Sequence, residues 1–441
     1  MNPSSDQPEN KNEAQRMVWH PVVRVLFRFV FAFLVLDIFP FPLYHLQFLY
    51  GIPYVGKLIG SLKQPFDFLI PYLGKICFGL GSVQQHPMTG SSDTTYHWLE
   101  VFSYLVVAAM AAAIWSAFDW KRKNYVFLHK WLRLYVRLYL ASILLSYGAV
   151  KVFPSQFPAP NIWRLVETYG DSSPMGLMWT FMGASKTYTM FTGVTEFAAG
   201  ILLLFPRFVT LGALISVAVF VNVFMLNISY DVPVKLQSFL FLSFSLVLLI
   251  PDIPALTQLL LFRKMVAPAL ESPYFANPRA CYVFSLVQIA FGIYVGCLAL
   301  SSAYEETLKY GEAAPKSVLY GLWSVDEFIL DGKVVPPLLT DKERWGRLIF
   351  DNPKWLTIMS LDGKGTFLDV SINKKKHLVS ISQQGDNGWK ADFSLNEIDD
   401  NHIVLEGTQE GKHIRAALHK EEPFLLRSRG FHWISERPFN R

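Results

Sequence analysis

The residue most able to do chemistry is Glu196, a carboxylate inside one of the chain's most apolar stretches, Tyr188–Phe205. A charge at membrane depth costs a few kcal/mol, so it needs a partner, a proton or a water-filled cavity. Lys151 ends another apolar stretch on the same side, and Glu196 and Lys151 are the catalytic candidates, either of which could handle protons. Counting about 1.5 Å per residue puts Glu196 roughly 12 Å, and Asn222 roughly 9 Å, below the outer ends of their helices. Asn222, Asn227, Asp231, Lys235, Glu100, Asp93 and Asp171 approach the same outer level and are read as ligand-binding candidates. Structural readings stand beside these. Asp231 also reads as a helix N-cap with Pro233 in the first turn, and both lysines as side chains snorkelling to headgroups. A structural ion pair is the bland reading of Glu196.

The elements that must position these groups are membrane helices. Of 441 residues, 52% are hydrophobic and only 17% charged, too apolar for an ordinary soluble enzyme. The apolar residues are concentrated before residue 303, and the remainder is charged and alternating. Seven stretches approach the roughly 20 residues needed to cross a bilayer: 20–41, 97–118, 131–152, 188–206, 208–228, 235–253 and 281–302. The run 65–80 is shorter, holds Pro71, Gly74, Asp67 and Lys75, and reads as a re-entrant or interfacial helix. The resulting plan is an N-terminal membrane region over 1–128, a four-helix core over 129–262, a linker and seventh span over 263–304, and a β domain over 305–441.

Lys and Arg set the orientation. Arg16, Arg24, Arg28, Lys121, Arg122, Lys123, Lys130, Arg133, Arg207, Arg263 and Lys264 all fall on one side of a seven-span bundle, which makes that side cytoplasmic. The C-terminal domain then lies outside. The first span has no small-residue cleavage site and reads as a retained anchor. Basic residues are not interleaved with aromatics, which argues against nucleic acid. Cys77, Cys281 and Cys297 lie in apolar segments, and no Cys or His spacing suits a metal. Outer loops at Thr89–Tyr96 and Phe153–Lys186 are rich in polar and turn-forming residues. They read as lids or as solvated connectors, with Thr94 or Asp93 capping the second span.

The segment Tyr139–Lys151, with Pro154 and Phe157 after it, resembles the opening helix of the DoxX family. Phe191–Leu204, with Glu196 and Gly200, then Arg207 and Leu211-Gly212-Ala213, is similar to that family's glutamate-and-glycine helix and its successor. The match covers about residues 130–260. It implies a four-helix bacterial inner (plasma) membrane core, as in the small subunit of a thiosulfate:quinone oxidoreductase. Quinone is then the implied cofactor or substrate, and a redox protein the implied partner. More distantly, the Lys151 segment is similar to a helix of the vitamin K-dependent carboxylase-like family, which would make Lys151 a base. The extra N-terminal spans, the seventh span and the tail depart from a minimal DoxX protein.

From about residue 316 apolar and polar residues alternate with period two, as in half-buried antiparallel strands. Leu368, Val370 and Ile372 form one face, and Ile414, Ala416 and Leu418 another. Turn signals recur at Asp362-Gly363, Gly385–Gly388, Asn401 and Glu410-Gly411, predicting an up-and-down barrel or curved meander of about eight strands. Gly321-Leu322-Trp323 resembles the lipocalin Gly-x-Trp signature, with Arg427 or Arg429 expected over that Trp and Gly430–Trp433 as closing strand.

The fold class is therefore a membrane all-α helical bundle followed by an antiparallel β domain. Three functions compete: a quinone-linked redox subunit, a protein binding or transporting a lipid or small hydrophobic molecule, and a structural subunit. The first needs an electron carrier from a partner, because no haem-ligand pair, flavin fingerprint or nucleotide loop is present. The second needs an apolar cavity in the barrel.

Overall fold

The computed structural model describes residues 18–46, 49, 52, 54–81, 83, 89–266, 273–383 and 388–440. Arg16 and most of the Gly385–Gly388 turn lie outside them. The chain divides into two compact units, one drawn from residues up to Phe153 with Met190–Ala303, the other from Pro154–Thr189 with Tyr304 onward.

The first unit is helical: α1 (Pro21–Ile38), α2 (Val55–Ser61), α3 (Gln64–Phe78), α4 (Thr95–Phe118), α5 (Val126–Val152), α8 (Lys186–Leu204), α9 (Val209–Ser229), α10 (Lys235–Leu249), α11 (Ile253–Leu260) and α12 (Pro278–Tyr310). Between α5 and α8 come two short helices, α6 (Ile162–Val166) and α7 (Pro174–Ala184). Among the described residues six helices are long and apolar enough to cross a membrane: α4, α5, α8, α9, α10 with its continuation to Leu260, and α12. The expected first span forms α1, but its 18 residues carry Arg24, Arg28 and Asp37, and it is not one of the six. It lies antiparallel on α4: Phe31 stacks edge-on against Trp115, and Arg28 reaches Ser116 and the Asp119 carbonyl.

α5 is the axis of the unit. Leu132, Val136, Leu140 and Leu144, one helical turn apart, are all buried. α9 and α10 form a hairpin in which Phe220 and Phe241 meet at 5.4 Å. Polar groups at one end of the unit are satisfied locally. Arg28 donates to the Tyr125 hydroxyl at 2.7 Å, and Arg133 to Asp252 at 2.8 Å, an oxygen also reached by Thr210. Arg137, almost wholly buried, donates to Gln288 on α12. The stretch 65–80 is helical as α3, with Pro71 inside it, and is not among the candidate spans.

The second unit is built on a closed barrel. Its strands are β1 (Gly321–Leu330), β2 (Lys333–Val334), β3 (Arg347–Phe350), β4 (Trp355–Met359), β5 (Gly365–Asn373), β6 (Leu378–Ser382), β7 (Lys390–Asp399), β8 (His402–Gln409) and β9 (Lys412–Lys420). Eight strands run up and down, β1 and β3 to β9, and close where β1 pairs with β9 from Trp323↔Lys420 to Leu330↔Ile414. β2 adds a two-residue flap to β1. Closure removes both sheet edges. Phe328, Phe350, Phe393, Trp323 and Trp345 fill the interior. A cavity of about 350 Å³ remains at the end carrying the β4–β5 and β8–β9 turns, lined by Trp345, Trp389 and several charged residues.

Three expectations for this unit are corrected. Gly430–Trp433 is no strand: Pro423 lacks the N–H a strand needs, and the chain then turns through a short helix, α13 (Leu425–Ser428). The barrel is closed by β9. Neither Arg427 nor Arg429 covers Trp323: Arg427 donates to the Tyr320 hydroxyl, Arg429 stacks on Phe439, and the Lys420 ammonium lies 5.8 Å from the Trp323 ring. Phe153–Lys186 is no simple loop, since Pro154–Thr189 belongs to this unit. There α6 covers the outer face of the barrel: Ile162 packs with Leu322, Ile349 and Met359, and Trp163 against Phe367. This explains the unbroken apolar runs Leu322-Trp323 and Leu348-Ile349-Phe350, whose strands are buried on both faces.

Asp351 joins α6 to the barrel by accepting the Ile162 N–H at 3.3 Å. Burial raises its carboxyl above the usual range, against the opposing pull of that hydrogen bond and of Arg427 and Lys316. The folded state therefore binds this proton more tightly than the unfolded chain. The group's unfavourable contribution is full above the raised value and disappears as pH falls through it to the ordinary carboxylate value. Asp351→Asn, which keeps an acceptor for Ile162, should raise the melting temperature at pH 7 more than at pH 4. Thermal scans of the whole chain in detergent at the two pH values check this; an equal or reversed difference contradicts it.

Candidate functional site

Lys151 and Glu196 meet. The lysine Nζ donates to Glu196 Oε2 at 2.7 Å, and the two residues are only 7% and 5% exposed. Glycines allow this approach. A Cβ on Gly148 of α5 would fall 2.8 Å from the Gly193 carbonyl of α8, and one on Gly193 would fall 2.8 Å from the Gly148 carbonyl. Seven residues further along α8, a Cβ on Gly200 would lie 3.1 Å from the Ala141 carbonyl. Seven residues are nearly two helical turns, so both contacts lie on one line and the backbones touch along it. The Tyr147 ring lies 5.5 Å from the ammonium. The pair satisfies itself, and neither member lines the cavity described next. Its geometry is that of a clasp between α5 and α8.

A cavity of about 280 Å³ opens where the end of α1, the start of α4, the start of α10 and the middle of α5 come together. Its polar lining is Asp37, Tyr44, Lys63, Ser92, His97, Glu100, Tyr104, Tyr139 and Gln237. Glu100 Oε1 accepts from the Tyr104 hydroxyl at 2.7 Å and from Lys63 at 3.4 Å. Lys63 also lies over the Tyr104 ring, 5.8 Å from its centre. His97 Nδ1 is engaged by Thr94 at 2.7 Å. Asp37 makes no hydrogen bond or salt bridge to another described residue; its charged neighbours are Lys63 and Glu100. The site can thus offer a carboxylate, phenolic hydroxyls and ring faces to something small.

Asp93 shapes the mouth of this cavity. Its carboxylate accepts the backbone N–H of Lys235 at 2.8 Å and of Leu236 at 2.9 Å, capping α10 from another segment, and pairs with Lys235 Nζ at 3.3 Å. Thr94 caps α4, as expected. The N-cap expected of Asp231 is corrected: α10 starts at Lys235, past Pro233, and Asp231 is exposed at φ 49° with its carboxylate 3.0 Å from Lys235 Nζ. A carboxylate from outside already occupies the helix end.

The remaining candidates are not gathered here. Asn222 lies on the exposed side of α9. Asn227 is buried and donates to Ser238 at 3.0 Å, locking the α9–α10 hairpin. Asp171 belongs to the other unit, where the Thr168 hydroxyl donates to it. Of the candidates only Glu100 lines the cavity. Asp37, like Glu196, is a carboxylate in an apolar run, and the same cost of a charge at membrane depth marks it in the sequence. Lys63, Tyr44, Tyr104 and Tyr139 carry no such signal. Among the described residues no group of three His, Cys, Asp or Glu could hold a metal.

Two outcomes follow. Glu196→Gln leaves a buried ammonium without its carboxylate and should destabilise by about 3–5 kcal/mol, while Lys151→Met with Glu196→Leu should cost less than either single change. Unfolding titrations in mixed micelles check the order; a double variant as damaged as the singles contradicts the clasp. Asp93→Ala should cost about 0.5–2 kcal/mol through the lost cap, read in the same titration, with Asp231→Ala close to neutral.

No family model matches the chain, and no solved structure matches it. Over 116 residues it is 34% identical to the uncharacterized protein YwoB of Bacillus subtilis (strain 168), a stretch that is 26% of this chain and 73% of YwoB. YwoB brings no activity, ligand or partner with it. At that identity and coverage, the chain belongs to the family of YwoB.

Proposed function

We propose that this multi-pass membrane protein binds a small molecule in the cavity between α1, α4, α5 and α10. The observation that carries this reading is Asp37, a carboxylate without a hydrogen-bonding partner among the described residues that faces a partly open cavity of about 280 Å³. Inside an apolar bundle such a group demands a proton, a cation or water, and bundles rarely retain one without use for it. The barrel supports a more modest role, because aromatic side chains fill much of its interior and the cavity found there lies at one end.

The second reading is the quinone-linked redox subunit of DoxX type. Lys63 and the hydroxyls of Tyr44 and Tyr139 favour it, since they would donate to quinone carbonyls in a cavity of headgroup size. Electrons would come from a partner protein. A bacterial inner-membrane location, with the β domain outside, is supported by Arg24, Arg28, Arg122 and Arg133 gathering at one end of the helical unit. α12 starts at that end, with Phe284 against Trp131, and rises to Tyr294, whose hydroxyl donates to the His45 carbonyl beyond the far end of α1.

Native mass spectrometry of gently solubilised protein should detect a retained small molecule, absent from a Glu100→Ala, Tyr104→Leu variant that melts as the wild type does. An added short-chain quinone should raise the melting temperature on the second reading only. Protein that is empty as isolated and unmoved by any added lipophile or small organic cation sinks both and leaves a structural subunit. Protease added to intact spheroplasts should remove the β domain; protection would reverse the orientation.

A further inference from the structure

We infer that the ligand of the bundle cavity is a small organic cation, an amine or quaternary ammonium, held by Asp37 against tyrosine ring faces. The inference rests on the reading of this cavity as a small-molecule site and adds the chemical class. It starts from the charges on the lining. Asp37 and Glu100 are acidic and Lys63 is basic, while His97 has one ring nitrogen engaged by Thr94. Lys63 and Glu100 are paired at 3.4 Å, and Glu100 also takes the Tyr104 hydroxyl at 2.7 Å. That leaves Asp37 as the carboxylate without a hydrogen bond, inside a low-dielectric surround where an unmatched charge is expensive.

Two further observations select an organic cation. The Tyr104 ring already receives an ammonium, that of Lys63, at 5.8 Å from its centre, so this lining presents an aromatic face to positive charge. Tyr44 and Tyr139 complete a wall of three tyrosines, and Ile38, Val101, Leu236 and Leu240 supply apolar surface for the ligand's carbon atoms. Size excludes a bare ion. About 280 Å³ is the room of roughly nine waters, far more than a metal ion fills, and the described residues hold no metal-ligating group of three. An anion would face two carboxylates, Asp37 and Glu100, against the single ammonium of Lys63, and a neutral ligand would leave that excess of negative charge in place.

The test compares charge at constant shape. The full chain in detergent micelles is titrated by calorimetry with choline and with its neutral isostere, in which carbon replaces nitrogen. Butylamine and butanol form a second pair. The expected result is binding of at least one cation and no detectable binding of its neutral counterpart. Asp37→Asn should weaken that binding at least about 30-fold, since it removes a buried charge partner, whereas Asp37→Glu should retain most of it. Melting curves of both variants verify the fold, and Asp231→Asn serves as an unaffected control. If each neutral isostere binds as well as its cation, or Asp37→Asn binds like the wild type, the cation assignment falls while the cavity stands as a small-molecule site. If no cation binds but a short-chain quinone does, the assignment again falls and the quinone reading takes its place. If none of these ligands binds, both the assignment and the small-molecule reading are overturned.

Discussion

Hydrocarbon offers no water to a charge, and that constraint organises the helical unit. Each buried charged side chain is answered locally: Arg28 by a hydroxyl pair and a carbonyl, Arg137 by Gln288, Lys151 by Glu196. Such contacts add little net stability over well-packed apolar groups, yet removing one partner is costly, so they tie helices to defined neighbours. Asp37 departs from this rule. It is answered by a cavity, and the functional reading grows from that difference.

Close backbone approach holds α8 against α5, and remote capping holds part of the cavity's wall. Gly148, Gly193 and Gly200 let α5 and α8 touch along their backbones, which brings the two ends of the Lys151–Glu196 pair within hydrogen-bonding distance. Asp93 reaches across from the segment before α4 to the first amides of α10, and Ser91 reaches the Pro233 carbonyl beside it. The adjoining Ser92, Leu236 and Gln237 are then held at the cavity mouth. On α3, Asp67 accepts the Tyr96 hydroxyl at 3.1 Å, which keeps that short helix against α4.

The barrel obeys a different economy of forces. Its closure by β1 and β9 leaves no open edge, and its alternating residues divide cleanly between an aromatic interior and a solvated exterior. The exception is the patch of Leu322, Ile349 and Met359 on the outer face, which α6 covers with Ile162. A segment lying between two membrane helices in the chain therefore folds as part of this unit.

Much of this was legible in the residues alone. Long apolar runs determine membrane helices because only a hydrogen-bonded helix hides its backbone in lipid, and period-two alternation with regular turns determines an up-and-down barrel. The isolated acid Glu196 announced that it needed company, and the folded bundle supplies Lys151. The same logic applied to Asp37 but was hidden because the first span was judged by length and not by what its three charges require. Only the tertiary structure decided that the pair closes on itself while Asp37 faces open volume. Lys63, Tyr44 and Tyr139 come from three distant segments, and their convergence depends on how helices cross. Helix-crossing geometry is set by interlocking side chains and glycine contacts across the bundle, which leave no periodic trace in any one stretch of sequence.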